Sequence, residues 1–292
     1  MSAVEADPCS AGATPQETFY RRAVQVLAES GVPFLIGGAY ALAQYTGIVR
    51  DSKDLDVFVT PAGCPRALAA LECAGFRTEV PATHWLAKTF CGNDFVDIIF
   101  GSGNGVCTVD EGWFAHARKG EILGIPVRYC PAEELIWSKA FIMERERYDG
   151  ADIAHVLRVC GRQLDWPRLL ARFGPHWRVL LSHLVLFGFV YPAEREAIPD
   201  GVLQQLLGRL ARDTADTPTA EPVCHGTLLS NAQYLVDLRH WGYRDARLAP
   251  EGPLTAQQVA GALATISGAD RRVRVRRQAP RAPRRRRERR RA

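Results

Sequence analysis

Asp54-Leu55-Asp56-Val57-Phe58-Val59 alternates charged and apolar residues with a period of two, the pattern of an extended strand. Asp54 and Asp56 share one face and Leu55, Val57 and Val59 the other. At about 3.3 Å per residue the two aspartate Cβ atoms lie about 7 Å apart. Aspartate is depleted in strands, and like charges on one face repel. Phe95-Val96-Asp97-Ile98-Ile99-Phe100 repeats the anomaly, with a lone carboxylate among five large apolar residues. Such a carboxylate is costly unless it meets a cation or reaches solvent at a strand end.

If the two strands are neighbours, about 4.8 Å separates them and the three carboxylates converge. Convergence of that kind suits a pair of divalent ions about 3.5–4 Å apart. The plainer alternative is three solvent-facing aspartates on an open sheet.

Outward from these strands, the pattern predicts a helix over 17–30 and a short strand over 34–36 ending at Gly37-Gly38. A small helix to about 45, a polar loop over 47–53 and a helix over 66–74 complete the first part. Further strands are expected over 84–90, 94–100 and 125–129, the first two forming a hairpin across Cys91-Gly92-Asn93. Pro131 opens a helical region: 132–146, 150–159, 166–173, 177–190 and 202–212. The expected fold is α/β, a small mixed sheet flanked by helices and followed by an all-helical region. The domains are 16–130 and 131–245, with 1–15 and 246–292 largely disordered.

Hydrophobic residues make up 47% and charged residues 24%, the balance of a soluble globular chain. Neither a signal peptide nor an apolar run of about 20 residues is present, which points to the cytoplasm and away from a membrane. Eight scattered cysteines without C-x-x-C spacing read as reduced thiols, with Cys224-His225 a weak adjacent pair of soft ligands. Residues 271–292 hold thirteen Arg and one Glu, so the net charge of +5 conceals a body of −7 and a tail of +12. The tail is either a contact for nucleic-acid phosphates or a solvated extension.

Gly37-Gly38 lies between a strand and a helix, where backbone N–H groups can approach an anion. With Arg50-x-x-Lys53-Asp54-Leu55-Asp56 and the later Asp97, this run resembles the signature of the polymerase β-like nucleotidyltransferases. Its spelling is closest to minimal bacterial members, including toxins of abortive-infection systems. The resemblance covers about 30–155; Gly38-Ala39 stands where the family commonly has Ser.

The resemblance implies a transfer of a nucleoside monophosphate from an NTP such as ATP to an acceptor hydroxyl. Asp54, Asp56 and Asp97 would hold two Mg²⁺ ions, with Mn²⁺ as a substitute, and Asp97 would help deprotonate the acceptor. Gly37 and Gly38 would cradle the β/γ-phosphates, with Arg50 and Lys53 in the adjoining loop. The acceptor is left open between RNA, protein and small molecule. A non-catalytic nucleotide-binding or antitoxin-like module and an RNA-binding protein acting through its tail are the alternatives.

Lys139 lies among Leu135, Ile136, Ile142 and Met143 at helical spacing. It either reaches toward the triphosphate, as in the related enzymes, or keeps its ammonium in water with its methylenes packed. Asp149 is expected to cap the helix after it, with Asp152 near that helix N-terminus. Asp152 and His155, one turn apart, could line the cleft. His183 reads as a hydrogen-bonded core histidine.

Overall fold

A computed structural model of the chain describes residues 14–215 and 221–264. The first helix, α1 (Pro15–Glu29), opens on a reciprocal cap: Glu17 N–H donates to Thr14 Oγ1 at 3.1 Å, and Thr14 N–H to Glu17 Oε2 at 2.8 Å. Its face of Phe19, Tyr20, Ala23, Val24 and Leu27 is buried. There follow β1 (Leu35–Ile36), α2 (Gly38–Thr46), β2 (Asp54–Phe58), α3 (Cys64–Cys73), β3 (Arg77–Ala82), β4 (Leu86–Cys91) and β5 (Asp94–Ile99). A short α4 (Glu111–Ala115) leads to β6 (Arg118–Ile122) and β7 (Ile125–Tyr129).

These strands form one seven-stranded sheet in the order β3-β4-β5-β2-β1-β7-β6. It is mixed: β2 runs parallel to β5 and antiparallel to β1, while β1 runs parallel to β7. Leu35, Ile36, Leu55, Val57, Val96 and Ile98 from its central strands are buried in the main core. The α/β core followed by helices is the expected fold class.

β3 and β6 were not among the expected strands. They occupy the two edges of the sheet, and their residues are mostly exposed. Edge strands carry charge and little apolar alternation, so the period-two signal is weak where β-structure meets water.

The helical region contains α5 (Ala132–Ala140), α6 (Gly150–Cys160), α7 (Trp166–Phe173), α8 (Trp177–Val190) and α9 (Asp200–Ala215). α5 stops at Ala140, six residues short of the expected end at 146. Beyond it Glu144-Arg145-Glu146-Arg147 has no apolar stripe to continue the helix. The chain turns instead, with Glu144 N–H donating to Arg147 C=O at 2.9 Å and Met143 bridging to Tyr148. That turn brings Arg147 and Asp149 back beside Lys139. His183 is buried and its Nε2 lies 3.0 Å from the Ala140 carbonyl, so it is a hydrogen-bonded core histidine.

α5 is tied down by charge as well as packing. Glu134 is fully buried, accepting from Arg168 at 2.5 and 2.7 Å and from Arg172 Nε at 3.0 Å. Glu133 accepts from Asp165 N–H at 2.7 Å and also pairs with Arg168. Glu134→Ala would leave two half-paired guanidinium groups against a dry wall. It is expected to destabilise the fold by about 3–5 kcal/mol in denaturant unfolding. A loss below about 1 kcal/mol would mean that water already reaches these groups.

The chain ends its described course with β8 (Val223–Cys224), α10 (Leu235–His240), β9 (Arg244–Asp245) and α11 (Ala256–Ala264), β8 and β9 pairing in parallel. The described course thus runs past residue 245, where the expected helical domain ends. Ala246 and Arg247 are buried, as are Leu254 and Val259. Arg247 Nη2 donates to Asp245 Oδ2 at 2.7 Å and its Nη1 to Asn231 Oδ1 at 2.6 Å. Residues 1–13 and 265–292, with the arginine-rich run 271–292, lie outside the described residues.

All seven cysteines among the described residues are free thiols. No helix among these residues is long and apolar enough to cross a membrane.

Candidate active site

β2 and β5 pair so that Asp56 faces Asp97 and Asp54 faces Phe95. Because the strands are parallel neighbours in this register, Asp54, Asp56 and Asp97 all project from one side of the sheet. One carboxylate oxygen from each lies within 4.8 Å of the others. Loss of water raises the Asp56 carboxyl to about 7, helped by the charges of Asp54 and Asp97. Burial also raises Asp97, against the opposing effect of Lys88, whose Nζ donates to Asp97 Oδ1 at 2.5 Å. Ser52 Oγ donates to Asp54 Oδ1 at 2.9 Å.

The glycine turn presses against this cluster. Gly37 N–H donates to the Asp56 carbonyl at 2.9 Å, and Gly38 opens α2 with φ +53°. A Cβ on Gly38 would fall inside the van der Waals distance of Asp56 Oδ2, and one on Gly37 inside that of the Phe58 ring. Both positions therefore need glycine for want of space, and Gly38 for its backbone angle as well. Neither Gly38 nor Ala39 gives the turn a side-chain hydroxyl.

Asp54, Asp56 and Asp97 stand on the floor of a cleft of about 570 Å³, with Gly38 and Ala39 on its rim. Its cationic side is built by Lys139 of α5, Arg147 of the turn after it and Arg50 of the loop before β2. Lys139 Nζ lies 2.8 Å from Asp149 Oδ2 and 2.8 Å from Asp152 Oδ2. Arg147 donates to Asp149 at 3.1 Å, and Arg50 pairs with Asp152. Lys139 is thus engaged by two carboxylates inside the cleft, and its ammonium does not stand free in water. Asp149 occupies the N-cap position of α6, but its side chain makes no capping bond and serves Lys139 and Arg147 instead. Lys53 is exposed and Gly37 is buried in the turn; neither lines the cleft. Nor does His155, whose buried Nδ1 has no hydrogen-bond partner among the described residues.

Burial alone would raise both Asp149 and Asp152. Arg147 and Lys139 outweigh it at Asp149, Lys139 and Arg50 at Asp152, so both stay below the usual carboxylate value. A depressed folded value contributes stability that is present above the unfolded value, near pH 4, and is lost as pH falls through the folded one. Lys139→Met is therefore expected to flatten the acid limb of the stability curve. Equal slopes for variant and wild type between about pH 5 and pH 2 would contradict it.

The far wall of the cleft was not foreseen. Thr227 to Asn231 form it, held by Glu144, whose carboxylate accepts from Asn231 N–H at 2.7 Å and from Ser230 Oγ. Asn231 is in turn gripped by the buried Arg247. Trp85 and the loop 101–104 face the same space. No local pattern marks this wall, because its contacts span about ninety residues of chain.

No protein-family profile matches the chain, and no curated protein sequence matches it. Solved structures similar in backbone include that of the antibiotic-resistance factor ANT(2″)-Ia, 20% identical over 57% of this chain and 96% of that one, with a TM-score of 0.40. The lincosamide antibiotic adenylyltransferase LnuA, lincomycin-bound, is 15% identical over 50% and 98%, with a TM-score of 0.36. JHP933 from Helicobacter pylori is 13% identical over 69% and 96%, with a TM-score of 0.32. The chemistry of the site stands on its own geometry.

Proposed function

We propose that the chain is a divalent-metal-dependent nucleotidyltransferase that moves a nucleoside monophosphate from an NTP to an acceptor hydroxyl. The observation that carries this reading is the convergence of three carboxylate oxygens within 4.8 Å on two parallel strands, under a glycine turn. The residues fit a divalent cation: the oxygens are hard ligands, Asp56 has no ammonium bonded to it among the described residues, and Gly38, lacking a Cβ, lets Asp56 Oδ2 lie against the turn. Asp54, Asp56 and Asp97 would hold two such ions, Mg²⁺ or Mn²⁺. When bound, these supply positive charge to the phosphoryl oxygens and lower the barrier to in-line displacement.

The rest falls to the protein. The acceptor oxygen bonds to the α-phosphorus as the bond from that phosphorus to the bridging oxygen of the β-phosphate breaks. Pyrophosphate leaves with that oxygen and its electron pair. Asp97 accepts the hydroxyl proton. The first turn of α2 presents Gly38 and Ala39 to the triphosphate, with a helix N-terminus behind them. Lys139, Arg147 and Arg50 supply cationic partners, released in part from Asp149 and Asp152. The wall of Trp85, loop 101–104 and residues 227–231 faces the acceptor side.

The test is incubation with each labelled NTP and Mg²⁺ in the presence of tRNA, protein and aminoglycoside acceptors. Acceptor-dependent release of pyrophosphate with a labelled product is expected. The RNA arm is run with and without residues 271–292, whose charge of +12 favours phosphate backbones. Absence of pyrophosphate release with every NTP and acceptor, together with absence of Mn²⁺ binding, would overturn the proposal.

A further inference from the structure

A row of paired residues crosses four strands on the triad side of the sheet: Glu79, Lys88, Asp97 and Asp56. Lys88 stands between two carboxylates and bonds to one. Glu79 is taken by Arg77, whereas Lys88 Nζ lies 2.5 Å from Asp97 Oδ1. The ammonium also sits 3.9 Å from the centre of the Phe95 ring, on the strand that carries Asp97. Its side chain is 23% exposed and that of Asp97 13%, so this pair is drier than an ordinary surface bridge. No comparable ammonium or guanidinium bonds to Asp54 or Asp56 among the described residues; Asp54 has only the Ser52 hydroxyl.

The three carboxylates are thus unequal. Two are without a cationic hydrogen-bond partner, and the third is supplied with one by the neighbouring strand. We propose that Lys88 is the resident counter-ion of Asp97: its ammonium takes the place of a second divalent cation, so the nucleotide-free triad accepts one ion, not two. Lys88 is a positioning residue in this scheme, holding Asp97 turned on its strand toward the incoming hydroxyl. The inference rests on the triad being a metal centre, as set out under the proposed function.

Mn²⁺ titration of the full chain without nucleotide, followed by electron paramagnetic resonance, tests it. The wild type is expected to bind one Mn²⁺. Lys88→Met is expected to bind a second, or to bind the first about 10- to 100-fold more tightly, because a positive charge a few Å from the cation is removed. Adding Asp97→Asn to Lys88→Met should restore the single-ion isotherm, and Lys88→Arg, which keeps the charge, should never leave it. Lys88→Gln replaces the methionine variant if that chain does not fold.

Two Mn²⁺ ions on the wild type, or identical isotherms for wild type and Lys88→Met, would overturn the role of Lys88 and leave the metal centre intact. Equal Mn²⁺ binding by wild type and Asp54→Asn would overturn the metal centre itself, and this inference with it.

Discussion

Asp54→Asn and Asp97→Asn should each reduce nucleotidyl transfer by about 10³-fold or more, since several kcal/mol of charge stabilisation pass through these oxygens. The same substitutions should leave the fold standing, because Leu55, Val57, Val96 and Ile98 on the opposite face are untouched. Asp56→Asn separates function from stability more sharply. With the Asp56 carboxyl raised to about 7, the folded, metal-free protein binds a proton that the unfolded chain has already given up. A raised folded value stabilises at low pH, and that stability is lost as pH rises from about 4 through 7. In chelator at pH 8 the folded state therefore carries an uncompensated cost of a few kcal/mol at most.

Replacing Asp56 with neutral Asn removes that cost. The Tm of the chelated variant should exceed wild type at pH 8 by more than at pH 5, while its activity vanishes. Divalent cation should raise the wild-type Tm and leave that of Asp56→Asn unmoved. A lower Tm for Asp56→Asn at pH 8, or more than a tenth of wild-type activity in Asp54→Asn or Asp97→Asn, would remove the carboxylates from the centre of the mechanism. Sites that bring like charges together are bound to be locally unstable, so a stability gain on disarming them is the signature of function.

Gly38→Ala should be nearly as damaging through the addition of one methyl group. The added Cβ collides with Asp56 Oδ2, and the residue is held at φ +53°. The left-handed angle alone costs about 1–2 kcal/mol. Relief of the collision must come from Asp56 or from the start of α2, and either moves a carboxylate or the turn that faces it. A displacement of about 1 Å at a reacting centre costs about 10²-fold in rate.

Gly47 is the control, with φ +73° and nothing within 4 Å of its Cβ position. Gly47→Ala should lose stability by a similar strain and keep its activity. Equal activities in the two alanine variants would show that the turn does not set the carboxylate geometry.

The two halves of the site were unequally legible. Asp54 and Asp56 could be placed on one face because alternation is a property of one extended segment. Asp97 betrayed itself as the single charge in an apolar run. Lys139 attracted notice for the same reason, but its pairing with Asp149 and Asp152 did not: Asp149 read as a helix cap until the turn after α5 folded it back onto the lysine. Lys88 and Ser52 carry no local anomaly at all. A lysine on a half-exposed strand and a serine in a polar loop are ordinary until a neighbour is assigned to them.

By itself the sequence determined the order of the central strands and of the helices α1–α3 and α5–α9, the apolar faces of those strands, and the anomaly of three carboxylates on them. These follow from interactions among residues a few positions apart, where backbone geometry dictates which side chains share a face. Only the tertiary structure decided that Asp56 lies opposite Asp97, since a one-residue slip in the β2–β5 register would turn Asp97 to the other face. Likewise it alone put Lys88 beside Asp97 and closed the cleft with Asn231 on the buried Arg247. Such contacts join segments far apart in the chain, and their geometry is set by packing of the whole domain.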